Sequence, residues 1–133
     1  LNFKPPFRRI HVSTELARQL NQPLPDFTDP DAATQALLAI CHARDIPVAP
    51  PFTLTRVLDT LISKFIEPQC EQPTFLYGHP KVMSPLAKAS ETDQSIAQRF
   101  ELFVAGKEIV NAYEELNDPA EQRERFAQQF KVW

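Results

Sequence analysis

The chain has 133 residues and a formal net charge of −3; 43% of its residues are hydrophobic and 23% are charged. These values predict one folded domain or part of one, without the basic surface that tight nucleic-acid binding requires and without a membrane-spanning segment. The two glycines exclude a phosphate-binding loop and a dinucleotide-binding fingerprint, and the two distant cysteines and three unclustered histidines exclude a zinc or redox motif.

The first predicted elements are an extended segment over residues 1–12 and a short helix. The Pro5-Pro6 pair disfavours a helix at the start, and the apolar residues that follow it are strand formers. Ser13 or Thr14 can cap a helix that runs to about Leu20. A proline-rich loop then separates this helix from the next one.

Two longer helices are predicted after this loop. Asp29-Pro30 is typical of a helix start, with aspartate as the N-cap and proline at the first helical position, and the helix should reach about Arg44. Thr53 or Thr55 caps a third helix, which should stop before Pro68. Apolar residues recur at helical spacing and should face the core: Ala33, Leu37, Ile40 and Cys41 in the second helix, and Leu54, Val57, Leu58, Leu61, Ile62, Phe65 and Ile66 in the third.

The second half of the chain changes from helices to strands. Residues 73–77 predict a short strand, residues 82–88 predict a second extended segment, and residues 89–98 predict a polar loop. The chain therefore divides into a mainly helical segment, residues 1–67, and a segment of strands, a hairpin and a final helix, residues 68–133.

A hairpin and a helix complete the predicted order. Residues 99–104 and 107–113 alternate in polarity well enough for two strands, with a turn at Ala105-Gly106 between them. Asp118-Pro119 then predicts a final helix, with the aspartate as N-cap and the proline at the first helical position. Helices followed by antiparallel strands and one more helix predict the α+β class.

Three polar side chains near the end of the hairpin form the first candidate site. Residues two apart in a strand share a face, so Asn111, Tyr113 and Glu115 point the same way if the strand persists that far. An amide oxygen, an aromatic ring with a hydroxyl and a carboxylate together suit an ammonium group, such as that of a lysine side chain. The alternative is a solvated edge strand with ordinary polar residues, and spacing alone does not separate the two interpretations.

Two glutamates of the hairpin form the second candidate site. With the predicted turn, Phe103 pairs roughly with Glu108, which places Glu101 and Glu108 on one face as diagonal neighbours. Two carboxylates in this arrangement can hold one or two Mg²⁺ ions. The alternative is a pair of surface charges balanced by Arg99 or Lys107.

Strict alternation along the second hairpin strand places Glu108 and Asn111 on opposite faces. Both residues can serve one site only if the strand carries an extra residue between them. Such β-bulges are frequent beside active sites. We therefore predict a bulge near Ile109 or Val110.

Four blocks of sequence follow one another along the chain. They are Pro5 to Ile10; Thr55 to Asp59 with Phe65 to Glu67; Pro73 to Lys88; and Arg99 to Phe126. In this order and spacing they resemble the lysyl-tRNA synthetases, a family of class II aminoacyl-tRNA synthetases, over nearly the whole chain. The most specific combination is Ser84-Pro85-Leu86-Ala87-Lys88 followed by the run from Asn111 to Pro119.

The resemblance implies part of a class II catalytic domain, which is an antiparallel sheet flanked by helices. The implied reaction is ATP-dependent activation of lysine to lysyl-adenylate, followed by transfer to lysine-specific tRNA (tRNA-Lys). By resemblance, Asn111, Tyr113 and Glu115 contact lysine, and Glu101 and Glu108 bind the Mg²⁺ associated with ATP. The resemblance also implies an intracellular homodimer, cytoplasmic or mitochondrial, that contacts tRNA-Lys through parts outside these residues.

This chain departs from the family pattern in several places. The ATP-binding arginine of the second signature motif is expected upstream of Leu1, and the glycine-rich third motif is expected beyond Trp133. Gln98 replaces an acidic residue of the family, and Ala89-Ser90 replaces a bulkier and more basic pair. We therefore expect these 133 residues to be inactive alone. The alternative is a standalone synthetase-like module that binds a partner or a lysine-like ligand without catalysis.

Overall fold

The computed structural model describes residues 1–130; the last three residues of the predicted second segment, 131–133, lie outside the described residues. Two short 3₁₀ turns, Glu67–Gln69 and Lys81–Met83, lie among the regular elements. In chain order the regular elements are β1 (Arg8–His11), α1 (Val12–Leu20), α2 (Pro30–Ala43), α3 (Leu54–Phe65), β2 (Thr74–Tyr77), β3 (Arg99–Val104), β4 (Lys107–Tyr113) and α4 (Pro119–Phe130). None of these helices is both long and apolar enough to cross a membrane.

The four strands form one mixed sheet in the order β1-β2-β3-β4. β2, β3 and β4 are antiparallel neighbours, whereas β1 lies parallel to β2. Parallel neighbours need a long crossover, which the three helices between β1 and β2 supply. The α+β class predicted from the sequence is confirmed, and the parallel pair at one edge is an addition to it.

The hydrophobic core lies between one face of the sheet and helices α1, α2 and α3. Ile10, Leu76 and Phe103 face the helices from β1, β2 and β3, and each is at most 6% exposed. Burial of a leucine-sized side chain contributes about 2 kcal/mol to folding. The predicted apolar stripes are buried except for Ile40 and Phe65, which are half-buried: Ala33, Leu37, Cys41, Leu54, Val57, Leu58, Leu61, Ile62 and Ile66.

Three helices begin where the sequence predicts. The Asp29 carboxylate accepts a hydrogen bond from the backbone N–H three residues later (3.0 Å), and the Thr53 hydroxyl does the same at α3 (3.3 Å). Asp118 caps α4 through bonds of 2.8 and 3.2 Å to two backbone N–H groups of the first turn. Each such cap satisfies donors that the helix itself leaves unpaired and contributes about 1 kcal/mol.

The first helix begins earlier than predicted, and His11 caps it instead of Ser13 or Thr14. The chain passes directly from β1 into α1, so the Nδ1 atom of His11 accepts a hydrogen bond from the backbone N–H of Thr14 (3.3 Å). The Ser13 hydroxyl donates instead to the carbonyl of Gly78 (2.7 Å), at the end of β2. Ser13 therefore does not cap the helix, although serine is a favoured capping residue, because its hydroxyl bonds to a distant part of the chain.

The prediction of an extended segment over residues 82–88 is wrong. The chain forms the 3₁₀ turn Lys81–Met83 and then an irregular path, with a single bridge between Ala87 and Glu115. Pro85 has no N–H to give to a strand partner. The start of this loop also hydrogen-bonds to its end, where the Lys81 N–H donates to the Ser95 carbonyl (2.8 Å). Residues 89–98 form the loop that was predicted.

Gly78 is expected to resist substitution for two reasons. Its φ is +72°, and a Cβ atom added there would lie 2.3 Å from Nε2 of His11. We expect Gly78→Ala to lower the free energy of unfolding by about 2 kcal/mol or more. Gly106→Ala is the matched control, since Gly106 also has a positive φ (+70°) but no atom within 4 Å of the added Cβ, and it should cost only about 1 kcal/mol. Equal losses in chemical denaturation would contradict the predicted clash with His11.

Candidate functional site

The β3–β4 hairpin carries the predicted bulge. Phe103 pairs with Glu108, and Glu101 pairs with Asn111. One residue lies between these two pairs on β3, whereas two residues, Ile109 and Val110, lie between them on β4. The register shift falls beside Ile109, which is the extra residue. The prediction of a bulge near this position is therefore confirmed.

The bulge brings Glu101, Glu108, Asn111 and Tyr113 to one face of the sheet. Glu101 and Glu108 lie on the same face as diagonal neighbours, and Asn111 lies directly opposite Glu101. Tyr113 follows two residues after Asn111 and so shares its face. Leu76, on the other side of Glu101, belongs to the buried core. The polar face is thus the continuation of the face that packs against the helices.

Glu101 is a buried carboxylate between two basic side chains. Its side chain is 8% exposed and forms an ion pair with Arg99. Nε2 of His79 lies 3.2 Å from its second oxygen, but the two are not aligned as a hydrogen bond. Neither ring nitrogen of His79 has a hydrogen-bond partner among residues 1–130, although the residue is only 1% exposed.

The electrostatic surroundings keep Glu101 ionised. Burial by itself raises the pKa of this carboxyl, but the adjacent His79 ring and the Arg99 guanidinium outweigh burial and hold the pKa below its usual value. Glu101 is therefore an anion at neutral pH, as a ligand of a hard cation must be.

Arg99 joins the two candidate sites. Its Nε donates to Oδ1 of Asn111 (3.1 Å), its Nη1 donates to the Ser84 hydroxyl (3.0 Å), and its Nη2 donates to the Glu101 carboxylate. From the sequence, Arg99 was only a possible counter-charge for the glutamate pair. Alternation in β3 could have predicted its place in the site, because Arg99 precedes Glu101 by two residues and therefore shares its face. Ser84 and His79 come from loops, and spacing gave no sign of them.

β4 ends at Tyr113, and backbone hydrogen bonds to the loop before β3 hold the residues that follow it. Past the end of the strand, the Leu116 N–H donates to the Leu86 carbonyl (2.7 Å), and the Lys88 N–H donates to the Glu114 carbonyl (2.8 Å). Glu115 itself pairs only with Ala87, in an isolated bridge outside the sheet. That Glu115 lies on the side of Asn111 and Tyr113 stays a prediction. All three side chains are at least one-third exposed and accessible to a ligand.

Glu114, the residue before Glu115, forms an ion pair at the surface. Its carboxylate pairs with the Lys88 ammonium at 2.6 Å, and its side chain is 57% exposed. Two adjacent glutamates thus have different surroundings: Glu114 has a surface partner, while Glu115 has no side-chain hydrogen bond to any residue in the described range.

The two hairpin glutamates could hold a magnesium ion if other oxygen ligands completed its coordination. Glu101 and Glu108 share a face on adjacent strands, which is a suitable arrangement for two carboxylate ligands. No group of three or more acidic, histidine or cysteine side chains that could hold a metal is present among residues 1–130. Phosphate and water oxygens would have to complete the coordination of the ion, as Mg²⁺ ordinarily requires.

Helix α4 holds the loop beside Glu115. The Arg125 guanidinium donates to the carbonyl of Ala87 (2.7 Å) and, more weakly, to that of Ser84 (3.3 Å). Glu121 holds the guanidinium in place through a bond of 2.5 Å on the exposed side. The final helix therefore fixes a loop with two contacts to the candidate sites. Ser84 of this loop bonds to Arg99, and Ala87 forms a backbone bridge with Glu115.

Comparison with known proteins gives a match over nearly the whole chain. The family model described as tRNA synthetases class II (D, K and N) matches residues 1–132. Two relatives named probable cytoplasmic lysine–tRNA ligases are 50% identical (Encephalitozoon cuniculi) and 46% identical (Vairimorpha ceranae) over 97% of this chain. A lysine–tRNA ligase of Chloroflexus aurantiacus is 39% identical over 100% of the chain. The chain spans about a quarter of the length of these relatives: 26%, 25% and 26%, respectively.

Proposed function

Because this chain belongs to the class II tRNA synthetases of the D, K and N group, we propose that the protein containing it is a lysine–tRNA ligase. Such an enzyme activates lysine with ATP to form lysyl-adenylate and then transfers the lysyl group to tRNA-Lys. The observation that supports the proposal is the bulged β3–β4 hairpin, in which the acidic pair Glu101 and Glu108 shares a face with Asn111 and Tyr113.

Lysine recognition is assigned to Asn111, Tyr113 and Glu115. Glu115 supplies a negative charge without a partner among the described side chains, which suits the substrate ammonium group. The Tyr113 ring and hydroxyl and the Asn111 amide oxygen supply further directional contacts. A site of this kind selects its substrate because its polar groups would be left unpaired by an amino acid that lacks the ammonium.

Binding of the Mg²⁺ that accompanies ATP is assigned to Glu101 and Glu108. When bound, this metal neutralises charge on the phosphates at which the lysine carboxylate attacks. The protein provides no covalent nucleophile in this scheme, and its residues act by positioning and by charge. Glu101 and Glu108 would hold the metal, and one Glu101 oxygen is also paired with Arg99.

The whole protein is proposed to be a homodimer that contacts tRNA-Lys through parts outside these residues. The acidic balance of the chain, −3, is consistent with tRNA contacts that lie elsewhere. We place the protein inside the cell, in the cytoplasm or the mitochondrion. The names of the two relatives from Encephalitozoon cuniculi and Vairimorpha ceranae specify the cytoplasm.

ATP–pyrophosphate exchange tests the proposed function. The full-length protein is expected to exchange label only when lysine is present, whereas the 133 residues alone should give no exchange because they span about a quarter of the length of the related ligases. Exchange by the short chain would contradict its predicted inactivity. Absence of lysine-dependent exchange in a folded full-length protein, together with absence of lysine binding in calorimetry, would overturn the proposed function and favour an interaction module.

A further inference from the structure

The Arg99 side chain forms hydrogen bonds to residues of both candidate sites. It bonds to Asn111 in the proposed lysine site and to Glu101 in the proposed metal site, and it bonds to Ser84 in the loop. Its side chain is 15% exposed, so it is largely held within the protein and does not extend into solvent. Three different acceptors in three directions use all three nitrogens of the guanidinium.

We propose that Arg99 is a positioning residue for the lysine site, which sets lysine affinity by fixing the amide of Asn111. This inference rests on the proposed function, since it takes Asn111 as a lysine contact. Glu101 and Ser84 anchor the guanidinium, and Nε then fixes the amide oxygen of Asn111 at 3.1 Å.

The Asn111 amide needs such a partner because its two ends have opposite roles. The oxygen accepts hydrogen bonds and can bind an ammonium, whereas the NH₂ group only donates and would repel one. Asn111 is exposed on the last strand of the sheet, where little packing would stop the amide from rotating. The bond from Arg99 selects one orientation and leaves the second lone pair of the oxygen available to a ligand.

The role requires arginine. A lysine at position 99 keeps the positive charge beside Glu101, but its single ammonium does not reproduce the planar fork that reaches Glu101, Ser84 and Asn111 together. Arg99→Lys therefore separates two possible roles of Arg99. The lysine variant should still neutralise the Glu101 carboxylate, but it should no longer hold the Asn111 amide in one orientation.

Calorimetric titration of the full-length protein with lysine, without ATP or Mg²⁺, provides the test. Arg99→Lys is expected to weaken lysine binding about tenfold, the effect of losing one charge-assisted hydrogen bond. In an Asn111→Ala background the same change should alter lysine affinity less than about twofold, because the amide that Arg99 orients is absent. In a Glu115→Gln background, where Arg99 has no contact, the tenfold loss should persist.

The outcomes are distinct from failure of the proposed function. If the unchanged protein does not bind lysine, the function itself is wrong. If it binds lysine but Arg99→Lys has no effect, or has the same effect with and without Asn111, the positioning role is overturned. Should Arg99→Lys fail to fold, Ser84→Ala applies the same test, since it removes the hydroxyl that receives Nη1. It should weaken lysine binding about threefold, and only when Asn111 is present.

Discussion

Replacing Glu115 by glutamine in the full-length protein is expected to lower kcat/KM for lysine in ATP–pyrophosphate exchange by about 100-fold. The change keeps the size of the side chain and removes only its charge. Because Glu115 has no side-chain partner among residues 1–130, the lost charge is not needed to balance a protein cation, and the effect should fall on the ligand.

Glu114→Gln is the matched control for this prediction. It is the same substitution at the adjacent residue, but Glu114 pairs with Lys88 at 2.6 Å. Exposed ion pairs contribute about 1 kcal/mol at most, so neither stability nor lysine use should change much. Similar losses of exchange in both variants would show that charge at position 115 has no specific role.

Norleucine, which has the length of lysine but no ammonium, gives a second readout. Its use should be poor in the unchanged protein and should not fall further with Glu115→Gln, because no ammonium is present to lose its partner. A parallel loss for lysine and norleucine would point to a damaged fold instead of a damaged specificity contact.

The hairpin was predictable from sequence because its determinants are local. Alternating polarity in β3 and β4 and a turn at Ala105-Gly106 set the register, and the need for Glu108 and Asn111 to share a face required the bulge beside Ile109. The caps at Asp29, Thr53 and Asp118 are local in the same sense. Each depends on a side chain that bonds to a backbone group within a few residues.

The remainder of the site depends on contacts between distant residues. His79 and Ser84 reach Glu101 and Arg99 from a loop whose path follows from its packing against residues 95–98 and from the carbonyls that Arg125 holds. The same reason explains the His11 cap, since Ser13 bonds to a carbonyl 65 residues away. Periodicity does not encode such pairings, so the sequence predicts the candidate residues of the hairpin but not the hydrogen-bond network around them.

Replacing Glu101 by glutamine is expected to have the largest effect on catalysis, a fall of about 1,000-fold in exchange. The substitution removes one of the two proposed carboxylate ligands of Mg²⁺ and keeps the side-chain shape. It also leaves the Arg99 charge without its partner in a site where Glu101 is 6% exposed. Loss of one partner of a buried ion pair should lower the free energy of unfolding by about 3 kcal/mol.

Glu108→Gln separates the two consequences of that change. Glu108 is exposed and has no ion pair with any residue up to 130, so its loss should reduce exchange and raise the Mg²⁺ concentration for half-maximal exchange about tenfold without loss of stability. Glu101→Gln should raise the Mg²⁺ requirement and lower stability together. If the Mg²⁺ requirement stays unchanged in both variants while Glu101→Gln still unfolds more easily, the glutamates are not metal ligands and Glu101 serves only to hold Arg99.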